Sequence, residues 1–297
     1  GLDCRNVKIL IQTLRLKVRQ SLPGLLWKAI SALENALWDI AGKVAGVPVR
    51  NLLGSTKESM DYYLTCVWPG KDDQSHLSPD QQAEQIALYY AMGHKKFKFR
   101  SWRENALDDV AVVRKIRELV GGRDKIELMI DRTAHYPGWV WSYKEALDAA
   151  MRFQELDVTW LEEPFAQDDL DSYRRLAEEV DISITGGEWT SDLSIFLEYI
   201  STRAVDIIQP DVCIAGGIWP TRLVAALAQA HGTECILHGT NGPEVRPRFG
   251  GHHRQRGGGA GDRDSAAPQP VACGVCRIDR SPFARYEAGG LARYASG

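Results

Sequence analysis

Three acidic residues close three strand-like runs: Asp131 ends IELMID, Glu162 stands in TWLEEP and Glu188 ends ISITGGE. The gaps of 31 and 26 residues each approximate one strand-plus-helix unit, because an eight-fold barrel of roughly 250 residues spends about 30 per unit. Carboxylates at the ends of neighbouring parallel strands converge on one point at the mouth of the sheet. An oxygen-only cage of that kind suits a hard cation such as Mg²⁺ better than zinc. In the Glu162-Glu163 pair only one side chain can point inward. Trp160 and Glu162 share a face and Pro164 ends the run, so Glu162 is the candidate ligand and Glu163 a hydrogen-bonding neighbour. Gly186-Gly187, just before Glu188, lets the backbone approach the site closely.

Two further pairs carry proton chemistry. In KFKFR, alternation sends Lys98 and Arg100 to one side, the interior, and Phe99 outward. Buried cations need anionic company, which the carboxylates or an anionic substrate supply. The alternative is a solvated basic stretch, since His94, Lys95 and Lys96 precede it. Asp211 ends DIIQPD and His238 ends CILH on the next run. A carboxylate on one imidazole nitrogen fixes the tautomer and raises the basicity of the other. His238 is therefore a candidate general base facing the cation site from the side opposite Lys98. His135 and Tyr136, just past Asp131, are either substrate-pocket residues or ordinary loop residues.

These residues need a scaffold that brings strand ends together. Strand candidates are YYLTCV, HKKFKFR, KIELMID, VTWLEEP, ISITGGE, AVDIIQPD and TECILHG. Amphipathic stretches separate them: PDQQAEQIALYYAM, ENALDDVAVVRKIRELV, SYKEALDAAMRFQEL, DLDSYRRLAEEV, DLSIFLEYIS and WPTRLVAALAQAHG. Strand and helix in alternation with short connections predict an α/β fold, a parallel sheet covered by helices. Chemistry at many successive strand ends favours a closed barrel over an open sheet, which would gather ligands at its switch point. Upstream, residues 23–43 show helical apolar spacing at Leu26, Ile30, Leu33, Leu37 and Ile40, and GVPVRNLLG reads as a turn and a short second helix.

Seven strands are legible, not eight. Residues 245–297 hold ten Gly and nine Arg, no Lys, and only five Val, Ile or Leu. With no period of 2 or 3.6, that stretch supplies no recognisable barrel strand. Its abrupt bias reads as out-of-frame translation of a GC-rich gene, or else as a disordered tail. Over the whole chain, 44% hydrophobic and 25% charged residues are ordinary for a soluble domain. A net charge of -3 gives no reason to expect nucleic acid or an anionic membrane as partner. No apolar run approaches the roughly 20 residues of a membrane span, and no signal-peptide core opens the chain. Six scattered cysteines argue for a reducing cytoplasm rather than a disulfide framework, and the CxxC of Cys273 and Cys276 lacks a second pair.

Taken in order, ALWDIAGKVAGVPVRNLLG, KFKFR, the MID strand end, WLEEPF, GGEW, QPDVCIAGGI and the His of ILHG resemble the enolase superfamily, specifically its mandelate racemase subgroup, from about residue 24 to 240. The resemblance implies a (β/α)7β TIM-type barrel under an α+β capping domain. It implies one Mg²⁺ on Asp131, Glu162 and Glu188, and acid/base roles for Lys98 and for His238 supported by Asp211. The family reaction removes a proton next to a carboxylate, the metal stabilising the enediolate. Three departures follow. Arg100 replaces the second Lys of the family's Lys-x-Lys, and Arg is a poor base but a good carboxylate clamp. The N-terminal sheet of the cap and the glutamate of the eighth strand have no counterpart in this sequence. The implied division is a cap remnant of helices at residues 1–58, a catalytic barrel at 59–240 and an atypical tail at 241–297. One base and one acid suffice for eliminating water, so dehydration of an aldonate or aldarate is the expected activity. A racemase or epimerase of a 2-hydroxy acid and an inactive fragment are the alternatives. A small carboxylate substrate and a homo-oligomer complete the expectation.

Overall fold

The computed structural model describes residues 3–4, 6–18, 25–54, 62–66, 77–134, 140–239 and 277–278. Seven parallel strands lie in sequence order: β1 (Leu64–Cys66), β2 (Lys96–Arg100), β3 (Glu127–Asp131), β4 (Trp160–Glu162), β5 (Ser183–Gly186), β6 (Ile207–Ile208) and β7 (Glu234–Ile236). All seven fall inside the runs read from the sequence. Six helices connect them: α4 (Pro79–Ala91), α5 (Ala106–Val120), α6 (Tyr143–Glu155), α7 (Leu170–Glu179), α8 (Leu193–Ser201) and α9 (Ile218–His231). Before the sheet come α1 (Val7–Val18), α2 (Leu25–Ala45) and α3 (Val49–Leu52). No described helix is long and apolar enough to cross a membrane.

Alternation along the strands sorts side chains into two cores. Leu64, Phe97, Phe99, Leu128, Ile130, Leu161, Ile184 and Ile208 face outward and pack under the helices. Tyr63, Met129, Trp160, Ile207 and Ile236 form a separate buried cluster. Residues from or beside β1, β3, β4, β6 and β7 can meet in one cluster only if the sheet curls around them, as in a barrel interior. Burying each large apolar side chain contributes about 1.5–3 kcal/mol, so both faces of the sheet drive the curl.

The helices begin where the sequence supplies caps. Ser78 and Ser142 each form a reciprocal capping box, with Gln81 and Glu145 respectively. Asn105, Asp169 and Asp192 cap α5, α7 and α8 through their side chains.

Two elements differ from expectation. Helix α1 precedes the region read as helical and packs against α2 through Val7, Ile11, Ile30 and Leu37. Its apolar residues Val7, Leu10, Ile11, Leu14 and Val18 follow a helical i, i+3, i+4, i+7, i+11 spacing, a signal upstream of residue 23 that the sequence reading passed over. The tail contributes β8 (Arg277–Ile278), two residues antiparallel to β7. Among the described residues there is no parallel eighth strand and no ladder joining β1 to β7 or β8. Within the described residues the sheet therefore curls as a partial barrel without hydrogen-bonded closure.

Candidate active site at the barrel mouth

Strand register places the chemistry. Arg100 pairs with Asp131 and Asp131 with Glu162 across β2, β3 and β4. An isolated parallel bridge joins Asp211 to His238 beyond β6 and β7. Asp131, Glu162, Glu188 and Asp211 are all buried, as are Lys98 and Arg100. Lys98 Nζ pairs with Glu162 Oε1 and lies 3.1 Å from Asp131 Oδ2. Arg100 reaches the same Asp131 oxygen at 2.6 Å. On the far side, His238 Nδ1 is 2.7 Å from Asp211 Oδ2 and Nε2 is 2.9 Å from Glu188 Oε2. The seven residues expected to carry the metal and the proton chemistry thus form two contact groups, Lys98, Arg100, Asp131 and Glu162 on one side and Glu188, Asp211 and His238 on the other. The groups meet where ligand atoms of Glu162, Glu188 and His238 lie within 4.8 Å of one another. His135 and Tyr136 lie outside the described residues, as do Cys273 and Cys276.

Burial sets the electrostatics. It pushes the Glu162 carboxyl up to about 7, against the pull of Lys98. Burial also raises Glu163, reinforced by Glu188, Asp131 and Glu162. Glu188 goes the other way: burial works to raise it, but His238, with Lys98 and Arg100, holds it well below the usual carboxylate range. Burial opposes the charge on Lys98, yet Glu162, Tyr63 and Asp131 keep it well above its ordinary value. His238 is likewise raised against its burial, by Glu188 and by the hydrogen bond to Asp211.

Several contributors were not singled out as site residues from the sequence. Trp160 Nε1 (3.0 Å) and Gln209 Nε2 (3.1 Å) both donate to Glu162 Oε2. One Glu162 oxygen is thereby held from behind while the other faces Lys98. The signal was present: Gln209 lies two residues before Asp211 and shares its face by strand alternation. Thr133, at φ 52, donates from Oγ1 to Asp131 Oδ1 at 2.6 Å. Glu163 has φ 48, which breaks the alternation that would have turned it outward and leaves it within the field of the other carboxylates. Non-glycine residues at positive φ are uncommon and gather at functional sites. No residue pattern announces them.

The donor set fits a hard divalent cation. Single ligand atoms of Glu162, Glu188 and His238 lie within 4.8 Å of one another, and Asp131 adjoins Glu162 in register. In this geometry Asp131 is engaged by Lys98 and Arg100 and stands outside that trio. A buried group of carboxylates whose ionisation is opposed by burial has a ready use for a second positive centre.

Comparison with known proteins agrees. The sequence pattern of the enolase C-terminal domain-like family matches residues 81–247. That of the mandelate racemase/muconate lactonizing enzyme N-terminal domain matches residues 1–54. An arabinonate dehydratase of Saccharolobus solfataricus is 33% identical over 216 residues, 72% of this chain and 55% of that protein. Among solved structures, a racemase of Streptomyces coelicolor with bound magnesium is 29% identical with a TM-score of 0.71, covering 80% of this chain and 68% of its own. L-talarate dehydratase of Polaromonas sp. JS666, complexed with Mg and L-glucarate, is 28% identical with a TM-score of 0.69, covering 79% and 63%. The chain spans about half the length of the curated relatives it matches. With both halves of the family pattern matched in order and the curled sheet carrying its carboxylates at strand ends, the chain belongs to the mandelate racemase/muconate lactonizing enzyme family of the enolase superfamily.

Proposed function

We propose that this chain carries the catalytic barrel of a Mg²⁺-dependent acid-sugar dehydratase acting on an aldonate or aldarate. The observation that carries the reading is the pairing of His238 with Asp211, set against Lys98 across a buried carboxylate cluster. Asp131, Glu162 and Glu188 would hold the cation, which when bound supplies positive charge that eases loss of a proton next to a carboxylate. Asp211 fixes the His238 ring so that Nε2 is the atom that exchanges a proton. Lys98, kept protonated by its carboxylates, is a source of positive charge and of a proton. Arg100 stays protonated in its ion pair and serves as a clamp.

In the elimination the C–H bond next to the carboxylate breaks and its electron pair forms the carbon–carbon double bond. The neighbouring C–O bond breaks, and the hydroxyl leaves as water with a proton from the acid. With His238 as the base, it takes the carbon-bound proton and Lys98 gives one to the departing hydroxyl; with His238 as the acid, Lys98 must first give up its proton to act as the base. The enol then becomes a 2-keto-3-deoxy acid. Dehydratases among the relatives support this reading.

A racemase or epimerase of a 2-hydroxy acid is the second reading, favoured by the magnesium-bound racemase among the neighbours. The buried ion pair of Arg100 weighs against it, since racemisation needs competent bases on both faces. The proposed organisation is a helical cap remnant at 1–58, a barrel at 59–240 and an atypical tail at 241–297, in a cytoplasmic homo-oligomer. The test is incubation with Mg²⁺ and a panel of aldonates and aldarates in deuterated water. A 2-keto-3-deoxy product supports dehydration, and deuterium uptake without loss of water moves the assignment to racemisation. Neither event with any acid leaves a non-catalytic barrel and overturns both.

A further inference from the structure

Glu34 belongs to α2, far from the barrel in sequence, yet it is 1% exposed. Its carboxylate accepts from the backbone N–H of Ile218 at 2.6 Å and of Trp219 at 3.0 Å. Trp38 Nε1 adds a third donor at 2.8 Å. Ser31, one turn earlier and fully buried, accepts from Gly216 N at 2.9 Å. Helix α9 needs this help. The residue at its own cap position is Gly217, which has no side chain to offer and sits at φ 106. A Cβ at Gly217 would collide with the Glu34 carboxylate. A helix start leaves N–H groups without intrahelical partners, and an anion there is favoured by hydrogen bonding and by the helix dipole. Glu34 supplies that anion from another helix.

The gripped segment leads directly to the proton-transfer pair. The amides of Ile214 (3.0 Å) and Ala215 (2.7 Å) donate to the Asp211 carbonyl. Cys213 N donates to Asp211 Oδ1 at 2.6 Å, and Asp211 Oδ2 faces His238 Nδ1. His238 N in turn donates to the Pro210 carbonyl at 3.0 Å. The same helical layer meets the barrel at two more points. Lys8 lies 3.6 Å over the Trp219 ring, and Lys28 lies 4.8 Å over Trp189, the residue after Glu188.

We propose that Glu34 and Ser31 are positioning residues that clamp residues 211–218 and so keep the Asp211 carboxylate aligned on His238. The inference rests on the reading of His238 as the proton-transfer group. It makes the N-terminal helices part of the proton-transfer apparatus rather than only a cover. Both residues grip the backbone at the start of α9, whereas the cation ligands stand at the ends of β3, β4 and β5. Their effect should therefore reach the chemistry without reaching the cation.

The test compares Glu34→Ala, Glu34→Gln and Ser31→Ala in the full chain. The first readout is the proton NMR signal of His238 Nδ1–H in its hydrogen bond to Asp211, assigned by its loss in His238→Asn. The expectation is that this signal moves upfield or broadens in Glu34→Ala and Ser31→Ala, with partial recovery in Glu34→Gln, which keeps one carbonyl acceptor. The second readout is turnover: kcat falls by about tenfold to a hundredfold, as for a misaligned reacting group, while KM and Mg²⁺ affinity hold. Should Glu34→Ala not fold, Ser31→Ala, which removes only the hydroxyl's bonds with Gly216 N and the Trp27 carbonyl, carries the comparison. An unmoved signal in folded variants, or a loss confined to KM or to Mg²⁺ binding, overturns the proposal. If the unaltered chain turns over no acid, the functional reading fails while the NMR comparison still decides this one.

Discussion

In the proposed reaction, single residues divide between those that would exchange protons and those that would hold the exchangers still. His238→Asn should lower turnover by about 10²–10⁴-fold, the usual weight of a general acid or base, with Mg²⁺ affinity nearly kept, measured by steady-state kinetics and titration calorimetry. Gln209 belongs to the second kind. Gln209→Leu takes one of two donors from the buried Glu162 Oε2 and should weaken Mg²⁺ binding by about 10–100-fold. Calorimetry showing unaltered affinity would remove Gln209 from the site. Lys98 and Arg100 look equivalent in sequence but differ in consequence. Only the lysine bridges Asp131 and Glu162, and only the arginine is barred from giving up its proton.

At the scale of elements, the strand-to-loop transitions carry the precision. Gly187 has φ 99, and a Cβ there would lie 2.9 Å from Ile208 Cδ1. Gly187→Ala should therefore destabilise by about 1–3 kcal/mol, read from urea unfolding, and should displace Glu188 next to it. A neutral result would mean that the β5 end tolerates relaxation and that the glycine is not required. Helix starts are cheaper to disturb: Ser142→Ala, which opens a capping box, should cost about 1 kcal/mol. The seven strands and six connecting helices were legible because each period, 2 or 3.6, matched a face buried in the structure. Helix α1 was legible by the same rule, with Val7, Leu10, Ile11, Leu14 and Val18 spaced for one face and Val7 and Ile11 packed on α2, but it lies upstream of the segment that was read as helical.

For the molecule as a whole, the buried charge cluster links folding to pH and to the cation. Glu162 is raised to about 7, so its contribution to stability is present below the ordinary 4.5 and is lost as pH rises through about 7. His238 is raised above 6.5, and its contribution is complete below that value and fades as pH climbs through the raised one. Both act in one direction: the metal-free protein should lose stability above neutrality. Added Mg²⁺ should raise Tm more at alkaline than at mildly acid pH, because the cation binds the ionised carboxylates. An equal Mg²⁺ effect at both, followed by differential scanning fluorimetry, would contradict the assigned cluster. The amino-acid order alone determined the strand–helix alternation and which acids stand at strand ends, since both follow from local periodicity and spacing. It also determined the family through motifs in order. Tertiary structure alone decided that Glu163 turns back into the field of the other carboxylates and that Glu34 caps α9. Those contacts depend on a positive φ or on the meeting of distant segments, which no local pattern encodes.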